Sequence, residues 1–319
     1  MNTIRSTTAI RCEDLQEAAQ LVAKRIHRMP IFHSSLIDEM MGCHCYFKGE
    51  HLQKTGSFKV RGALYALSQL HAEERQKGVV THSSGNHGQA LAWAGKQMGI
   101  AVHVVVPEDA PAVKVEAMRH YGASIHFCAP GQRSREAACD ELQQQLSLHL
   151  IPPYDDHRII TGQSTMMREC LEELPELDAA LIPVGGGGLL SGSLLAAECL
   201  RPNMPVFGAE PAQADDALRS LKTGERQPQH APNTIADGLR TALGERNFEI
   251  IRHRVSDILP CSEEAIGEGL NLVFRYLKQA VEPSAAVALA SLMEHRQQFA
   301  GKRVLLILCG GNAMFGGGL

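Results

Sequence analysis

The sequence predicts an α/β fold built on mostly parallel sheets, and two observations lead to that prediction. Short apolar runs recur along the 319 residues, and each is followed by a turn and then by a helical pattern. Several of those turns are rich in glycine, serine or asparagine. Strands that alternate with helices in this way form parallel sheets with helices on both faces.

The predicted elements follow from these runs. Strands are expected at 78–81, 101–106, 124–128, 180–184, 205–209 and 303–308, and helices between them at 89–98, 112–121 and 189–200. The segment 43–47 is predicted as a strand with alternating faces rather than a zinc site, because Cys43 and Cys45 form no CxxC pair and no second ligand pair follows. Residues 149–157 lack periodicity, which predicts a connection that crosses from one layer of the structure to another. Residues 224–233 are predicted to form a surface excursion, that is, an exposed loop.

Composition excludes several classes of protein. There are 31 Lys and Arg residues against 35 Asp and Glu, a net charge of −4, so no nucleic-acid partner is expected. No stretch reaches the roughly 18 apolar residues of a membrane span. The nine cysteines are odd in number and lack the paired spacing of a disulfide framework, which predicts a reducing, cytoplasmic location.

The strongest local pattern is a run of four glycines, Gly185 to Gly188, between an apolar strand and a helical pattern that begins at Leu189. Glycines at such a turn let the backbone approach a ligand and direct unpaired amides toward it. With the dipole of the following helix, those amides form an anion site that suits phosphate. The run matches neither GxGxxG nor a P-loop. A flexible turn after a buried strand is the alternative.

A lysine at position 59 lies between the apolar residues Phe58 and Val60, just after a turn. An amine in a partly apolar pocket has its charged form disfavoured, so it can form a Schiff base with an aldehyde. Most lysines are solvated surface charges, and this segment alone leaves that alternative open.

Two further turns place polar groups at the ends of predicted strands. Residues 83–89 offer hydroxyl, amide and backbone N–H groups that suit a carboxylate, although serine and asparagine also cap ordinary helices. Residues 308–312 place Cys309 at the carboxyl edge of a sheet, where open α/β folds bind ligands. A buried, inert thiol is the alternative there.

Together the segments KTGSFKVRGA, SSGNHGQA, PVGGGGLLSG and LCGGN resemble those of the pyridoxal-phosphate enzymes of the tryptophan-synthase-β fold type. Within that type the sequence is most similar to serine racemases and serine/threonine dehydratases, from about Leu15 to Asn312. The resemblance implies two open, twisted, mostly parallel-sheet domains with the cofactor in the crevice between them. Residues 1–75 and 157–319 would form the large domain, and residues 76–156 a small domain that closes over substrate.

The resemblance also implies a set of contacts. Lys59 would carry pyridoxal 5′-phosphate as a Schiff base and, once released by the substrate, act on its Cα proton. The other implied cofactor contacts are Phe58, Asn86, Gly185, Gly186, Gly187, Gly188, Leu189, Gly238 and Cys309. The implied contacts to the substrate, a small amino acid, are Ser83, Ser84, Gly85, Asn86, His87 and Arg135.

The implied reaction is β-elimination of water from L-serine, L-threonine or a related 3-hydroxy amino acid, which yields a 2-keto acid and ammonia. Cys309 matches a neutral partner of the pyridine nitrogen, and the weak electron sink that results suits elimination. Ser84 matches the second acid/base group of serine racemases, which must lie on the face opposite Lys59. Elimination accompanied by racemisation is therefore expected. Arg135 could pair with a second carboxylate, which would favour 3-hydroxyaspartate as the substrate; a 3-hydroxyaspartate dehydratase or an aspartate-type racemase is therefore the alternative.

Glu210, Ala214 and Asp216 reproduce the spacing of the family's divalent-cation site, with two carboxylates and one backbone carbonyl. Oxygen ligands favour magnesium, with calcium or manganese as alternatives. The resemblance also implies a homodimer. It leaves ATP open as an effector, because parts of a nucleotide site are matched while the segment near Tyr154 and Asp155 departs from the pattern.

Two other functions stay open from sequence. A β-replacement synthase of the same fold would add a thiol to activated serine, although those enzymes typically carry a different Thr/Ser-Gly-Asn sequence in place of SSGNHGQA. A non-catalytic protein that binds a metabolite would keep the fold and lack turnover, although every matched catalytic position holds a competent residue.

Overall fold

The structure is a computed structural model that describes residues 10–83, 85–228 and 231–313. Its strands are β1 Ile31–His33, β2 His44–Lys48, β3 Val79–Thr81, β4 Val102–Pro107, β5 Ser124–Cys128, β6 His149–Leu150, β7 Ala179–Pro183, β8 Val206–Pro211, β9 Ile258–Cys261 and β10 Arg303–Ile307. Its helices are α1 Cys12–Val22, α2 Ser35–Met41, α3 Lys59–Ser68, α4 Ala72–Lys77, α5 Asn86–Met98, α6 Ala112–His120, α7 Gln132–Leu146, α8 His157–Glu173, α9 Gly188–Leu200, α10 Asp216–Thr223, α11 Glu245–Arg254, α12 Glu263–Leu272 and α13 Pro283–Glu294.

The described strands form two sheets. One has six strands in the order β1-β2-β10-β7-β8-β9, and the other has four in the order β5-β4-β3-β6. The β1–β2 pair is antiparallel, and the remaining pairs are parallel. The prediction of an α/β fold with mostly parallel sheets is confirmed.

The predicted elements are present, and their ends differ from the prediction by at most three residues. The strand at 124–128 has the predicted bounds, and the helix expected at 89–98 begins earlier, at Asn86. The segment 43–47 becomes β2, in which His44 is exposed and Cys45 is buried, as alternating faces require. The strands β1, β6 and β9 were not predicted, because two to four residues carry little periodicity.

Two apolar cores meet at α8. Every residue of β7 and β8 is buried, and most of them belong to the core of the six-stranded sheet, which explains why those strands read as mainly apolar runs. The other core joins α1, α3 and α5 to the four-stranded sheet. Adjacent residues of α8, Ile159 and Ile160, belong to different cores, so α8 connects them.

The four-stranded sheet lies between residues 79 and 150, within the span 76–156 expected for a small domain. Strands of the six-stranded sheet come before and after that span. The helix α3, which precedes it, nevertheless packs with the four-stranded sheet through Val60 and Leu64. The domain boundaries at 75 and 156 therefore stay predictions.

A buried network of charges holds the start of α3. The guanidinium of Arg61 pairs with Glu50 at 2.7 Å and with Glu169 at 2.7 Å, and Lys48 pairs with Glu169 at 2.9 Å. Arg61, Glu50 and Lys48 have no solvent exposure. Because two cations alternate with two carboxylates, each buried charge has an opposite partner. Two residues before Arg61, α3 begins at Lys59.

The cysteine spacing predicted no disulfide framework, yet the described part of the chain contains one disulfide. Cys12 in α1 and Cys199 near the end of α9 are joined, with a Cα–Cα distance of 5.8 Å. The two positions are 187 residues apart, so their spacing carried no signal, and only the packing of α1 near α9 brings them together. The other seven cysteines are free.

Two expectations concern exposed and membrane-spanning segments. Residues 224–228, in the predicted surface excursion, are mostly exposed, and residues 229–230 lie outside the described part of the chain. Among the described helices, the length and apolar character that a membrane crossing requires are not met.

Candidate active site

The four segments singled out in the sequence meet at one crevice of about 240 Å³. From the predicted set, the crevice is lined by Phe58, Lys59, Ser83, Gly85, Asn86, His87, Arg135, Gly185, Gly186, Gly187, Gly188, Leu189, Gly238 and Cys309. The structure therefore brings together every predicted cofactor and substrate residue that it describes. Ser84 lies outside the described residues. The crevice forms where β3, β7 and β10 end. Ligands of open α/β folds usually bind at this carboxyl edge of the parallel strands.

Lys59 presents a buried amine to the crevice. Its Nζ donates a hydrogen bond to the carbonyl oxygen of Pro153 at 3.0 Å and lies 5.1 Å from the centre of the Phe58 ring. Burial lowers the pKa of Lys59 to about 8, against the opposing influence of nearby Cys309 and Glu282. At neutral pH roughly a tenth of the amine is therefore uncharged and nucleophilic, far more than for an ordinary lysine.

The glycine turn forms an anion cradle at the N-terminus of α9. The first backbone bond of the helix runs from Ser191 N to Gly187 O, so the amides before Ser191 project from the helix end. Gly187 has φ +91°, and a Cβ on Gly186 would collide with the ring of Tyr154. Glycine is thus required at both positions, and the turn suits a phosphate.

Hydrogen bonds tie the turn after β3 to the turn after β10. The amide nitrogen of Asn86 donates to both carboxylate oxygens of Glu282, at 2.9 and 3.1 Å. The amide of Asn312 donates to Asn86 Oδ1 at 2.8 Å. Burial raises the pKa of Glu282, while the hydrogen bonds from Asn86 oppose that rise. The side chain of Asn86 is consequently fixed at the edge of the crevice.

Two titratable groups of the crevice are kept neutral. Burial raises the pKa of the Cys309 thiol well above its usual range, so the thiol carries no charge. Burial and the nearby charge of Lys59 lower the pKa of His87 to about 3, and its Nε2 donates to the carbonyl of Ile151 at 3.2 Å. A neutral thiol at this place agrees with the expectation of a neutral partner for a pyridine nitrogen.

Arg135 and its neighbour Gln132 lie on α7 at the mouth of the crevice. The guanidinium of Arg135 donates to Gln132 Oε1 at 2.6 Å, and both side chains retain contact with solvent. An arginine held in this way can receive a carboxylate from a ligand.

Several lining residues were not predicted from sequence as part of the site: His82, Lys114, Asp237, Glu282 and Ser284. Lys114 pairs with Asp237 at 3.2 Å, which joins α6 to the segment before Gly238. Glu282 directly precedes α13, as an ordinary helix-start residue would, so only the fold reveals its position in the crevice.

The three residues of the predicted cation site do not line the crevice. Glu210 lies near the end of β8, and its carboxylate accepts from the amides of Ala217 and Leu218 at 3.0 Å each. Asp216 begins α10, accepts from Leu243 N through Oδ2, and has a buried Oδ1 without a hydrogen-bond partner. Burial and the charge of Asp216 raise the pKa of Glu210 well above its usual range. Two close, buried carboxylates with an unpartnered oxygen fit a cation.

The crevice residues also fit pyridoxal phosphate. A buried amine can hold its aldehyde, the glycine turn can receive its phosphate, and a neutral thiol can face its ring nitrogen. These three features come from separate segments of the chain and line the same space.

Comparisons with known proteins agree with this geometry. The profile of a family described as pyridoxal-phosphate dependent enzyme matches residues 22–310. A serine racemase from Dictyostelium discoideum is 46% identical over 307 residues, covering 94% of each chain. An L-threo-3-hydroxyaspartate ammonia-lyase from Saccharomyces cerevisiae is 41% identical, covering 94% of this chain and 92% of its own. The crystal structure of a serine racemase from Dictyostelium discoideum superposes with a TM-score of 0.92 at 44% identity, covering 97% of this chain and 100% of its own. That of a threonine deaminase from T.th. superposes with a TM-score of 0.91 at 42% identity, covering 96% of this chain and 100% of its own.

Proposed function

This chain belongs to the family of pyridoxal-phosphate dependent enzymes, and on that premise we propose that it is an ammonia-lyase for 3-hydroxy amino acids that also racemises serine. The observation that carries the proposal is the buried amine of Lys59, which shares one crevice with the glycine turn and with Asn86. Relatives named as serine racemase and as threonine deaminase support the same pair of reactions.

Pyridoxal phosphate, when bound, supplies an electron sink for the substrate's Cα. Lys59 would hold the cofactor at Nζ, and the amides from Gly185 to Leu189 would bind its phosphate. Residues of the turn after β3, Ser83 and Gly85 to His87, would orient the substrate carboxylate. The low pKa of Lys59 lets its free amine accept the Cα proton.

The overall elimination removes the Cα hydrogen and the β-hydroxyl as water. Hydrolysis of the resulting enamine then gives a 2-keto acid and ammonia. Ser84 would move a proton on the face opposite Lys59, which racemisation requires because one base returns the proton to the side it came from.

A second candidate substrate is 3-hydroxyaspartate. The observation that favours it is Arg135 at the mouth of the crevice, bonded to Gln132 and accessible to a second carboxylate. A relative named as an L-threo-3-hydroxyaspartate ammonia-lyase is 41% identical. An Arg135→Gln variant would lose activity toward 3-hydroxyaspartate and keep activity toward serine.

The test incubates cofactor-loaded protein with L-serine, D-serine, L-threonine or the isomers of 3-hydroxyaspartate, and follows keto acid, ammonia and enantiomer composition. We expect keto acid and ammonia in equal amounts, and loss of the opposite enantiomer in Ser84→Ala while elimination persists. Absence of keto acid from all substrates contradicts the lyase. A thiol adduct formed from activated serine and sulfide would indicate the β-replacement synthase instead.

Further properties are proposed on the family resemblance. Glu210, the carbonyl of Ala214 and Asp216 would bind magnesium, and calcium or manganese are the alternatives. The protein would be a homodimer, which its molar mass in solution would test. A cytoplasmic location, predicted from the cysteine spacing and not from the resemblance, would be tested by cell fractionation. Residues 76–156 would close over substrate. The ion pair between Lys114 and Asp237 would stabilise the closed conformation. Adding ATP to the same assay tests it as an effector.

A further inference from the structure

Three metal-type ligands meet at the edge of the six-stranded sheet formed by β1 and β2. His33 ends β1, Asp38 lies in α2 and His44 begins β2. His33 Nε2 lies 2.7 Å from Asp38 Oδ2, and His44 Nδ1 lies 3.3 Å from the same oxygen. The three ligand atoms lie within 4.8 Å of one another. This cluster, His33, Asp38 and His44, is separate from the crevice and from Glu210, which lies three strands away on β8.

The backbone fixes this arrangement. His33 is opposite Tyr46 in the antiparallel β1–β2 ladder, and His44 precedes Tyr46 by two residues. Opposite residues share a face of the sheet, as do residues two apart on a strand, so both imidazoles lie on the same face. The connection between the two strands contains α2, which presents Asp38 to them.

The carboxylate of Asp38 is oriented for a ligand. Its Oδ1 accepts from the backbone amide of Cys45 at 2.8 Å, which leaves Oδ2 directed at the two histidines. Hydrogen bonds of this kind orient the ligands of metal centres. The side chain of Asp38 is only 14% exposed, whereas those of His33 and His44 are 45% and 59% exposed. An ion could therefore enter from solvent and keep water in its remaining positions.

We propose that His33 Nε2, Asp38 Oδ2 and His44 Nδ1 bind a divalent transition-metal ion, with zinc as the representative. Ligands about 2.0–2.1 Å from a tetrahedral zinc lie roughly 3.4 Å from one another, so the observed separations need only small rotations of the side chains. Two imidazoles with one carboxylate prefer zinc, nickel, cobalt or copper to magnesium or calcium. The site thus differs in chemistry from the oxygen ligands at Glu210.

The neighbouring groups are compatible with a cation. The side chains of Cys43 and Cys45 are buried, with their sulfurs 3.6 Å apart, so they belong to the core rather than to this surface. Arg303 lies opposite His44 in the sheet, and its charge is paired with Glu176. His44 lies between two cysteines whose spacing argued against a zinc site, and it acts instead with His33 and Asp38.

The test titrates zinc chloride into chelator-treated, cofactor-loaded protein in excess magnesium, which occupies oxygen sites, and measures heat of binding. We expect one zinc per chain, and affinity weaker by more than about tenfold in both His33→Ala and His44→Ala. His253→Ala, which removes an exposed histidine of α11, is the matched control and should bind like the wild type.

A second measurement locates the ion independently of affinity. Anomalous diffraction at the zinc edge should place it between the three side chains in the wild type, while magnesium-only crystals show no anomalous peak there. Circular dichroism of the metal-free variants would confirm that they fold. Zinc affinity unchanged in both alanine variants, no zinc binding by folded wild type, or a zinc peak at other residues would each overturn the proposal.

Discussion

The amine of Lys59 and the carbonyl oxygen of Pro153 are joined by a hydrogen bond of 3.0 Å. Pro153 lies in the loop that leads from β6 to α8, and so from the four-stranded sheet back to the six-stranded one. A group attached to Nζ would leave the nitrogen with fewer protons to donate and would compete with this contact. Loading of the cofactor and the position of that connecting loop are therefore linked through a single atom.

Attachment of pyridoxal phosphate to the apo-protein should accelerate as pH rises through about 8. Burial lowers the pKa of Lys59 to about 8, and only the uncharged amine attacks the aldehyde. Stopped-flow absorbance of the lysine-bound cofactor from about pH 6 to pH 9 measures the rate. Lys59→Ala should develop no such absorbance, and Lys77→Ala, at the exposed end of α4, should behave like wild type. A rate independent of pH would contradict the assigned pKa.

The pKa of Lys59 also determines the direction in which the stability of the apo-protein changes with pH. Above about pH 8, and up to the ordinary pKa of lysine, the unfolded chain holds a proton at residue 59 that the folded apo-protein lacks. The contribution of Lys59 to the unfolding free energy of the apo-protein therefore increases with pH in that window, and Lys59→Met should remove this increase. Urea unfolding of both apo-proteins at several pH values measures it.

Gly187→Ala should destabilise the protein by about 3 kcal/mol and weaken binding of the cofactor. The left-handed backbone costs an L-residue roughly 1 kcal/mol, and the new Cβ would lie 2.8 Å from both Asn247 Cβ and Leu243 Cδ2. Gly224→Ala is a matched control with φ +74° and no atom within 4 Å of its Cβ, so it should cost only about 1 kcal/mol. Urea unfolding of the two variants and the wild type measures these losses of stability. Equal losses would show that collision at the glycine turn is unimportant.

Arg61→Met should lower the unfolding free energy by about 3–5 kcal/mol, because Glu50 and Glu169 would keep buried charges without their main partner. Chemical denaturation of the variant against wild type tests this. Arg25→Met, at an exposed position, should change stability by less than about 0.5 kcal/mol. A small loss in Arg61→Met would mean that the two carboxylates are protonated or hydrated in the variant.

Magnesium should raise the midpoint of thermal unfolding. An ion at one hundred times its dissociation constant stabilises the folded state by about 2.7 kcal/mol, provided that the unfolded chain does not bind it. Glu210→Gln and Asp216→Asn should abolish the rise, whereas Glu225→Gln, on the exposed loop after α10, should retain it. A magnesium response that survives both substitutions would place the ion elsewhere.

Sequence reasoning succeeded where one local segment carries the whole signal. Gly185 to Gly188 and Cys309 each follow a buried strand, so their place at a sheet edge follows from the chain order alone. Glu282 and Tyr154 reach the crevice only through tertiary packing, and nothing in their own segments distinguishes them. His33, Asp38 and His44 meet because an antiparallel pair sets their register, which a three-residue strand does not reveal in advance.

The bond between Cys12 and Cys199 turns most of the chain into a covalent ring. Both sheets have strands inside that ring, whereas β8, β9 and β10 follow it. A protease that cuts one loop between these cysteines would leave a single molecule of undiminished mass. The cut would become visible on a denaturing gel only after a reductant opens the ring.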